Sequence, residues 1–447
     1  MEIVNLIKKF NLIYLTKEKL IKSVATITAE AEIDVENEIN QLISKGVLFL
    51  DDNNKVSVSA DKGLYFATIT LNKKGFGFAK VEGYKDFFIP AFAINGAFDG
   101  DDCLVEITDR NGEDIEAKVV KVLKRNTTHV VGTFVEGKSK NVVFPDDEKL
   151  PQIRVYKNDC ANAKNNEKVW VEIDLDSIED NIMRGKIVEV LGKANTPKAE
   201  QLSIIRSYNL IEEFKSEVLA EARGISQNVD LRKFKNRVDF TKQRTITIDG
   251  EDARDFDDAI AVERKGKGYV LYVHIADVSH YVKENSALDK SAYERGTSVY
   301  FPNMVLPMLP KEISNGICSL QEGVNRLTLS VIINLDENCN VISSDIKEGV
   351  IKSNHRMTYT EVQNILAGDE FLKDKYADVY DDLLCYQTIS KKLLQQRLLR
   401  GEIRMNIPEP FILENSAGEI LAAATISWSV CTHMFCFLQF IYYKYCE

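Results

Sequence analysis

The feature that most constrains this sequence is a cluster of carboxylates set between apolar segments. The stretch TIDGEDARDFDDAI, residues 247–260, has six acidic side chains in the ten positions from Asp249 to Asp258. Isoleucine and alanine residues flank it on both sides, as in buried strands. Carboxylates crowded together in such surroundings repel one another strongly unless something cationic joins them. The sequence therefore predicts a site where a cation binds.

A hard divalent cation is the usual way to hold such carboxylates together. Mg²⁺ prefers oxygen ligands and keeps some bound waters for the substrate. Alternate side chains of an extended stretch point to the same side, so the chain must bend for all the acids to converge. The acids with a suitable spacing, D-x5-D-x-D-D, are taken as metal ligands and catalytic residues: Asp249, Asp255, Asp257 and Asp258.

Three kinds of site could explain the acidic stretch. An acidic surface turn needs no metal, but the apolar flanks disfavour it. A calcium loop of the EF-hand type requires acids at its first, third and fifth positions, glycine at the sixth and glutamate at the twelfth, and no frame supplies them. A two-metal site for phosphoryl transfer uses clustered carboxylates to hold ions that activate water and stabilise the leaving oxygen. This third interpretation fits best.

Residues 62–125 carry a second informative pattern, a series of short alternating strands with glycine-rich turns that predicts a small β-barrel. Within it, KKGFGFAKV and DFFIP place aromatic rings beside lysines. Exposed rings flanked by lysines stack on single-stranded bases, whereas rings that face inwards only fill the barrel core. Stacking is favoured, and the candidate RNA-binding side chains are Lys73, Lys74, Phe76, Phe78, Phe87 and Phe88.

The chain as a whole predicts an α+β multidomain protein. Residues 1–60 have the pattern of three helices followed by a hairpin, which indicates either a winged-helix domain or a generic helical cap. Residues 127–192 predict a second β-rich unit, and one helix is expected over about 203–222. A basic run at 232–244 leads into the acidic stretch, where its cations could hold a polyanion.

The stretch TIDGEDARDFDDA resembles the signature of the RNB catalytic domain in the ribonuclease II and ribonuclease R family of exoribonucleases. The similarity continues through YVHIADVSHYV and YERGTSVYFPNMVLPMLPKEISNGICSL. KGFGFAKV and DFFIP likewise resemble the nucleic-acid-binding strands of a cold-shock domain. The resemblance implies a winged-helix region at 1–60, cold-shock-type OB barrels at 62–125 and 127–192, and an incomplete RNB catalytic domain at 193–420. The tail at 421–447 does not resemble the family.

By this resemblance the chain is expected to be a processive, hydrolytic 3′→5′ exoribonuclease that releases nucleoside 5′-monophosphates and uses Mg²⁺ or Mn²⁺. The four aspartates become its metal-binding acids, and Tyr300 in SVYFP matches an aromatic that stacks on the terminal base. Phe411 in PEPFILEN is the nearest candidate for a second clamping aromatic. The expected partner is single-stranded RNA, with structured RNA as a further substrate, and no small-molecule cofactor is implied.

Two histidines and a cysteine near the acidic stretch are expected to be structural. A two-metal site needs no histidine for general acid–base catalysis, and His274 and His280 lie in what the pattern indicates is a buried strand. Cys318, in GICSL, is expected to pack in the core instead of acting as a nucleophile.

The sequence departs from the family pattern after about residue 420. The later helices, their phosphate-binding arginine and the C-terminal OB fold that the resemblance implies do not occur, and residues 421–447 are largely apolar. The tail has the length of a membrane anchor. A premature or frameshifted end is favoured instead, because an anchor would replace part of a catalytic core. We therefore expect severely reduced activity, or none, from this chain.

Composition narrows the remaining classes of function. The net charge of −11 argues against a basic footprint over the whole surface, but not against local basic tracks. Eight cysteines without a CxxC pair favour reduced thiols and a cytoplasmic location. The rival functions are a non-catalytic RNA-binding fragment that uses only its cold-shock surfaces and, less expected, a membrane-tethered RNA binder.

Overall fold

The computed structural model describes residues 2–403, apart from 113, 139, 180 and 181, together with strands at 409–414 and 420–426. The chain divides into two compact units, Met1–Leu210 and Ile211–Glu447. The first unit contains a small helical domain and two closed barrels, and the second is built on one large sheet. The predicted α+β multidomain class is therefore confirmed.

The first unit begins with three helices and a hairpin, as the sequence predicted. Its core consists of fully buried aliphatic side chains, among them Leu20, Val24, Ile39 and Leu48. The helices are α1 (Glu2–Lys9), α2 (Lys17–Thr28) and α3 (Glu32–Ser44), and the antiparallel strands are β1 (Leu48–Leu50) and β2 (Val56–Val58).

Two closed five-stranded barrels follow, which confirms both predicted barrels. The first barrel has the strand order β3-β4-β5-β7-β6 and the second β10-β12-β11-β8-β9. The strands of the first barrel are β3 (Leu64–Leu71), β4 (Gly77–Lys80), β5 (Phe87–Ile89), β6 (Asp102–Asn111) and β7 (Asp114–Lys124). Those of the second barrel are β8 (His129–Val135), β9 (Asn141–Pro145), β10 (Ile153–Val155), β11 (Glu167–Glu179) and β12 (Ile182–Lys193).

The expected single helix over 203–222 is wrong. The chain forms α4 (Pro197–Ser207), which packs on the outside of the second barrel, and later α5 (Ser216–Gly224). Asn209 lies between them with φ of 50°, a left-handed conformation that an α-helix does not accommodate. The helix therefore ends before the second amphipathic stretch begins.

The second unit is built on a seven-stranded, mainly antiparallel sheet with the order β13-β20-β19-β16-β15-β14-β21. Neighbouring residues of a strand face opposite sides, so Ile260 packs into one apolar layer and Ala259 into another. The strands are β13 (Val238–Asp239), β14 (Ile246–Asp249), β15 (Asp258–Lys265), β16 (Gly268–Ala276), β19 (Asn325–Leu335), β20 (Val341–Lys352) and β21 (His355–Thr358).

Helices cover both faces of this sheet. One layer is formed with α8 (Tyr359–Ala367), α9 (Glu370–Lys375) and α10 (Tyr380–Leu399). The other includes side chains of α5, α6 (Val278–Tyr281) and α7 (Ala287–Arg295). Two short hairpins complete the unit, β17 (Val299–Tyr300) with β18 (Val305–Leu306) and β22 (Glu409–Glu414) with β23 (Ile420–Ile426).

The apolar tail lies mostly outside the described residues. Residues 421–426 belong to β23, whereas 427–447 are not described. Among the helices of the described residues, none is long and apolar enough to cross a membrane.

Candidate active site

The acidic stretch connects two neighbouring strands of the large sheet. Asp249 is the last residue of β14 and Asp258 the first of β15, and these strands are paired antiparallel through Ile246 and Ile260. Residues 250–257, here called the acidic loop, connect the two strands and reverse the direction of the chain. The two ends of the D-x5-D-x-D-D pattern therefore lie at the same end of this strand pair.

The pKa values of two of these carboxyl groups are raised by burial and by mutual repulsion. Burial raises the pKa of Asp249 to about 7, and the neighbouring charges of Asp258, Asp257 and Asp255 add to the effect. Burial also raises the pKa of Asp257 to about 6, with contributions from Asp255 and Asp258. The four aspartates therefore interact electrostatically, as the prediction of a shared site requires.

The donor set suits a hard divalent cation. The Oδ2 atom of Asp249 is buried and has no hydrogen-bond partner, a costly arrangement for a carboxylate oxygen that a cation would relieve. Within the described parts of the chain, no three histidine, cysteine or acidic side chains are already arranged as a metal-ligand cluster. A bound ion would therefore have to draw the carboxylates closer together. Their assignment as metal ligands remains a prediction.

Arg356, which the sequence analysis missed, is the counter-charge of the site. Its guanidinium donates to the carbonyl oxygens of Gly250 and Glu251 across 2.6 and 2.9 Å. Its positive charge also opposes the rise in the pKa of Asp249. Arg356 lies on β21, which pairs in parallel with β14, so this pairing places the guanidinium beside the start of the acidic loop. No local sequence pattern indicates a contact between such distant residues.

Tyr300 reaches the acidic loop from the β17–β18 hairpin. Its hydroxyl donates to Oδ2 of Asp255 across 3.3 Å, and 67% of the residue is exposed. Burial of the hydroxyl end and the charge of Asp255 both raise the pKa of Tyr300. The structure thus joins Tyr300 to the predicted acids and leaves its ring accessible. Phe411 lies on β22, but its side chain is outside the described residues, so its predicted role stays a prediction.

The two histidines differ from each other in environment. His274 is fully buried on β16, where its ring nitrogens contact Ser330 and Gln243, and burial lowers its pKa to about 3. It is therefore neutral at physiological pH. His280 lies on helix α6 and not on a strand, so its predicted placement is wrong. The cause is Asp277, whose side chain accepts the His280 N–H and caps that helical turn. Cys318 is buried in the core, as expected.

The basic run before the acidic stretch is partly structural. Arg237 forms a buried ion pair with Asp277 at 2.6 Å, and Arg244 makes two hydrogen bonds to the carboxylate of Asp382. These guanidinium groups bind to the protein itself. The expectation that the whole run binds a polyanion is therefore not supported for Arg237 and Arg244.

Three phenylalanines of the first barrel form an exposed cluster, here called the aromatic platform. Phe76, Phe78 and Phe88 lie with their ring centroids 5.7–5.9 Å apart, and Phe78 and Phe88 are paired across β4 and β5. Phe78 and Phe88 are each nearly two-fifths exposed. This geometry offers ring faces to unpaired bases.

Phe87 is a correction to the predicted RNA-binding set. Its side chain is fully buried in the barrel, where it contacts the rings of Tyr65 and Tyr84. Successive residues of a strand point to opposite faces, so Phe87 faces the core because Phe88 faces outwards. Its role is to stabilise the barrel.

The two predicted lysines are exposed beside the aromatic platform. Lys73 forms an ion pair with Glu148 at 2.8 Å, with about 72% of each side chain exposed. Such a surface pair is weak, and a phosphate group can replace the carboxylate. The second barrel also exposes aromatic and basic groups that were not predicted to bind RNA. Phe144 on β9 is 43% exposed, and the guanidinium of Arg184 lies 5.9 Å from the ring of Tyr156.

Family models match parts of both barrels and of the unit built on the large sheet. A model described as the RNB domain matches residues 237–428, and a cold shock domain model matches 143–215. A model described as the ribonuclease B OB domain matches 67–122. The matched domains and the fold define a multidomain protein of the RNB class.

Individual relatives make the assignment narrower. Ribonuclease R of Aquifex aeolicus (strain VF5) is 37% identical over 79% of this chain and 50% of its own length. Ribonuclease R of Acidithiobacillus ferrooxidans is 35% identical over 80% of this chain and 83% of its own length. The chain belongs to the ribonuclease R family. It spans about half the length of several of the curated relatives that it matches.

A solved structure supports the same assignment. The structure of Mycoplasma genitalium RNase R in complex with ribose methylated single-stranded RNA is similar, with a TM-score of 0.73 and 25% sequence identity. The match covers 83% of this chain and 60% of that one.

Proposed function

We propose that this chain carries the catalytic centre of a hydrolytic, processive 3′→5′ exoribonuclease that releases nucleoside 5′-monophosphates. The observation that carries the proposal is the group of interacting aspartates with an unpaired, buried oxygen on Asp249, next to the exposed ring of Tyr300. Ribonuclease R relatives support the same chemistry.

The four aspartates, Asp249, Asp255, Asp257 and Asp258, would hold Mg²⁺ or Mn²⁺ through carboxylate oxygens. When bound, such ions lower the pKa of a water that attacks phosphorus and stabilise the negative charge of the leaving oxygen. The chain's own contribution is to hold these carboxylates near one another and to oppose, through Arg356, the effect of burial on the pKa of Asp249. Arg356 favours the ionised form of Asp249, and the sheet fixes the two ends of the acidic loop.

Tyr300 would position the 3′ end of the RNA. Its ring can stack on a terminal base while its hydroxyl stays hydrogen-bonded to Asp255. Stacking carries no base code, so every nucleotide in turn can occupy the same place. Because the same tyrosine would contact both the terminal base and Asp255, the last phosphodiester bond would lie beside the predicted metal ligands. Cleavage one nucleotide at a time follows from that arrangement.

The barrels would bind the rest of the strand. The aromatic platform offers stacking surfaces, and Lys73 and Lys74 offer phosphate contacts. One similar structure contains single-stranded RNA and another, M. genitalium RNase R in complex with double-stranded RNA, has a TM-score of 0.65 and 25% identity. We extend both substrate classes to this chain, single-stranded RNA as the main substrate and structured RNA as a further one.

The test is to measure nucleoside 5′-monophosphates released from single-stranded RNA with Mg²⁺, for the parent and for Asp257→Asn. The expected result is that Asp257→Asn loses hydrolysis but keeps RNA affinity. The alternative function is that of a non-catalytic RNA-binding fragment that uses only its barrels, which the exposed rings of the aromatic platform would support. RNA binding by the parent without any metal-dependent hydrolysis would establish that alternative.

A further inference from the structure

A serine outside the acidic loop holds the backbone on both sides of Asp255. The Oγ of Ser319 donates to the carbonyl oxygen of Arg254 across 2.7 Å and accepts the N–H of Phe256 across 3.1 Å. Ser319 is fully buried. Because water has no access, neither bond has a ready substitute, and the single hydroxyl determines the local path of the loop.

Neighbouring backbone contacts continue this support along the loop. The N–H of Leu320 donates to the carbonyl oxygen of Phe256 across 2.9 Å, and the N–H of Ala276 donates to that of Asp257 across 3.0 Å. The peptide groups around Asp255 and Asp257 are thus bound to chain segments that are remote in sequence. These contacts fix the backbone positions of Asp255 and Asp257 and therefore the directions of their side chains.

Ser319 is itself fixed by a buried arginine. The Nε of Arg326 donates to the carbonyl oxygen of Ser319 across 2.8 Å, and its Nη2 donates to that of Gly316 across 3.2 Å. Arg326 is only 6% exposed and lies on β19, a central strand of the sheet. A buried guanidinium requires its acceptors, so Arg326 ties the turn that carries Ser319 to the sheet.

We propose that Ser319 is a positioning residue for metal binding by Asp255 and Asp257, an inference that rests on the proposed metal-dependent function. Asp255, Asp257 and Asp258 lie within four consecutive positions and carry like charges, so the loop would spread without an external constraint. The Ser319 hydroxyl restrains the backbone on both sides of Asp255, so the carboxylates stay near enough for a bound ion to draw them together. Groups that orient metal ligands in this way commonly contribute about 10–100-fold to metal affinity.

The experiment compares three variants of the full chain. Ser319→Ala removes the hydroxyl, and Ser319→Thr retains it. Ser330→Ala is the matched control, because Ser330 is also a fully buried serine of the same unit, hydrogen-bonded to His274 at 2.8 Å and not to the acidic loop. The measurements are Mg²⁺ affinity by calorimetry without RNA, hydrogen exchange of peptides spanning 250–258, and kcat and KM on single-stranded RNA.

Ser319→Ala is expected to bind Mg²⁺ about tenfold or more weakly, to exchange faster at 250–258, and to lose kcat with KM changed less than about twofold. Ser319→Thr is expected to recover most of the affinity. Ser330→Ala is expected to keep the parent's Mg²⁺ affinity even if its melting temperature falls.

Two other outcomes would overturn the proposal in distinguishable ways. If the parent binds Mg²⁺ and Ser319→Ala binds it as tightly as Ser330→Ala does, Ser319 has no positioning role and the proposed function stands. If the parent itself binds no Mg²⁺, the proposed function fails and the role of Ser319 fails with it.

Discussion

The hydroxyl of Tyr300 donates to Oδ2 of Asp255 across 3.3 Å, while two-thirds of the tyrosine residue stays exposed. One side chain therefore has two separable parts, a hydroxyl that contacts a predicted metal ligand and a ring that faces outwards. Single substitutions can therefore test the hydroxyl and the ring separately.

Tyr300→Ala is expected to reduce kcat/KM on single-stranded RNA by about tenfold or more, because base stacking on one ring contributes about 1–3 kcal/mol. Tyr300→Phe keeps the ring and is expected to retain most of the affinity for the RNA end. Steady-state kinetics on a short RNA give the comparison. Equal losses in the two variants would show that the hydroxyl, and not stacking, is the important part.

Phe87 and Phe88 are adjacent residues with opposite expected effects. Phe87→Ala removes a fully buried ring and is expected to destabilise the first barrel by about 3–5 kcal/mol. Phe88→Ala is expected to leave stability nearly unchanged and to weaken RNA binding by about fivefold or more. Urea denaturation and RNA-binding titrations of the full chain measure both quantities. Unchanged RNA binding by Phe88→Ala and Phe78→Ala would refute the aromatic platform.

The effect of Mg²⁺ on stability is expected to grow with pH. Burial raises the folded-state pKa of Asp249 to about 7 and that of Asp257 to about 6. The native state therefore binds more protons than the unfolded chain between about pH 4 and 7, and metal-free stability falls as pH rises through that window. Above it both carboxylates are ionised and free of competing protons.

Mg²⁺ is accordingly expected to raise the melting temperature by about 3 °C more at pH 8 than at pH 5. Thermal denaturation with Mg²⁺ and with EDTA at the two pH values gives the measurement, and the Asp249→Asn, Asp257→Asn double variant is the control. A shift of equal size at both pH values would contradict carboxylate ligation by these residues.

Arg356→Gln is expected to weaken Mg²⁺ binding by about tenfold at pH 7 and less at pH 9. Without the guanidinium charge, the pKa of Asp249 should rise further and protons should compete better with the metal. Arg356→Lys retains the positive charge and is the matched control. Calorimetry at the two pH values separates charge from loop support, since a purely structural defect would not recover at pH 9.

Local patterns were sufficient for much of the fold. Alternating strands with glycine-rich turns predicted the first barrel and a second β-rich unit, and three helical segments followed by a hairpin predicted the arrangement at the N-terminus. The acids of one short stretch were identified because their flanks are apolar. The same alternation shows that in DFFIP only one of two adjacent rings can face outwards, so one of Phe87 and Phe88 could have been excluded from the sequence, and the structure shows that it is Phe87.

Long-range contacts account for what was missed. Ser319 contacts Phe256 from 63 positions away, and Arg356 reaches Gly250 from 106 positions away. No periodicity links such residues, since sheet order and turn geometry bring them together. The break between α4 and α5 depends on one asparagine in a left-handed conformation, and the placement of His280 depends on the cap formed by Asp277.

The parallel pairing of β14 with β21 has a consequence for a chain that is still being made. Arg356 leaves the ribosome 106 residues after Gly250, which takes roughly 5–20 s at about 5–20 residues per second. Until then Asp249 lacks its counter-charge and β21, one of the two strands that flank β14. A half-synthesised chain therefore contains the acidic loop before it contains the arginine that supports that loop.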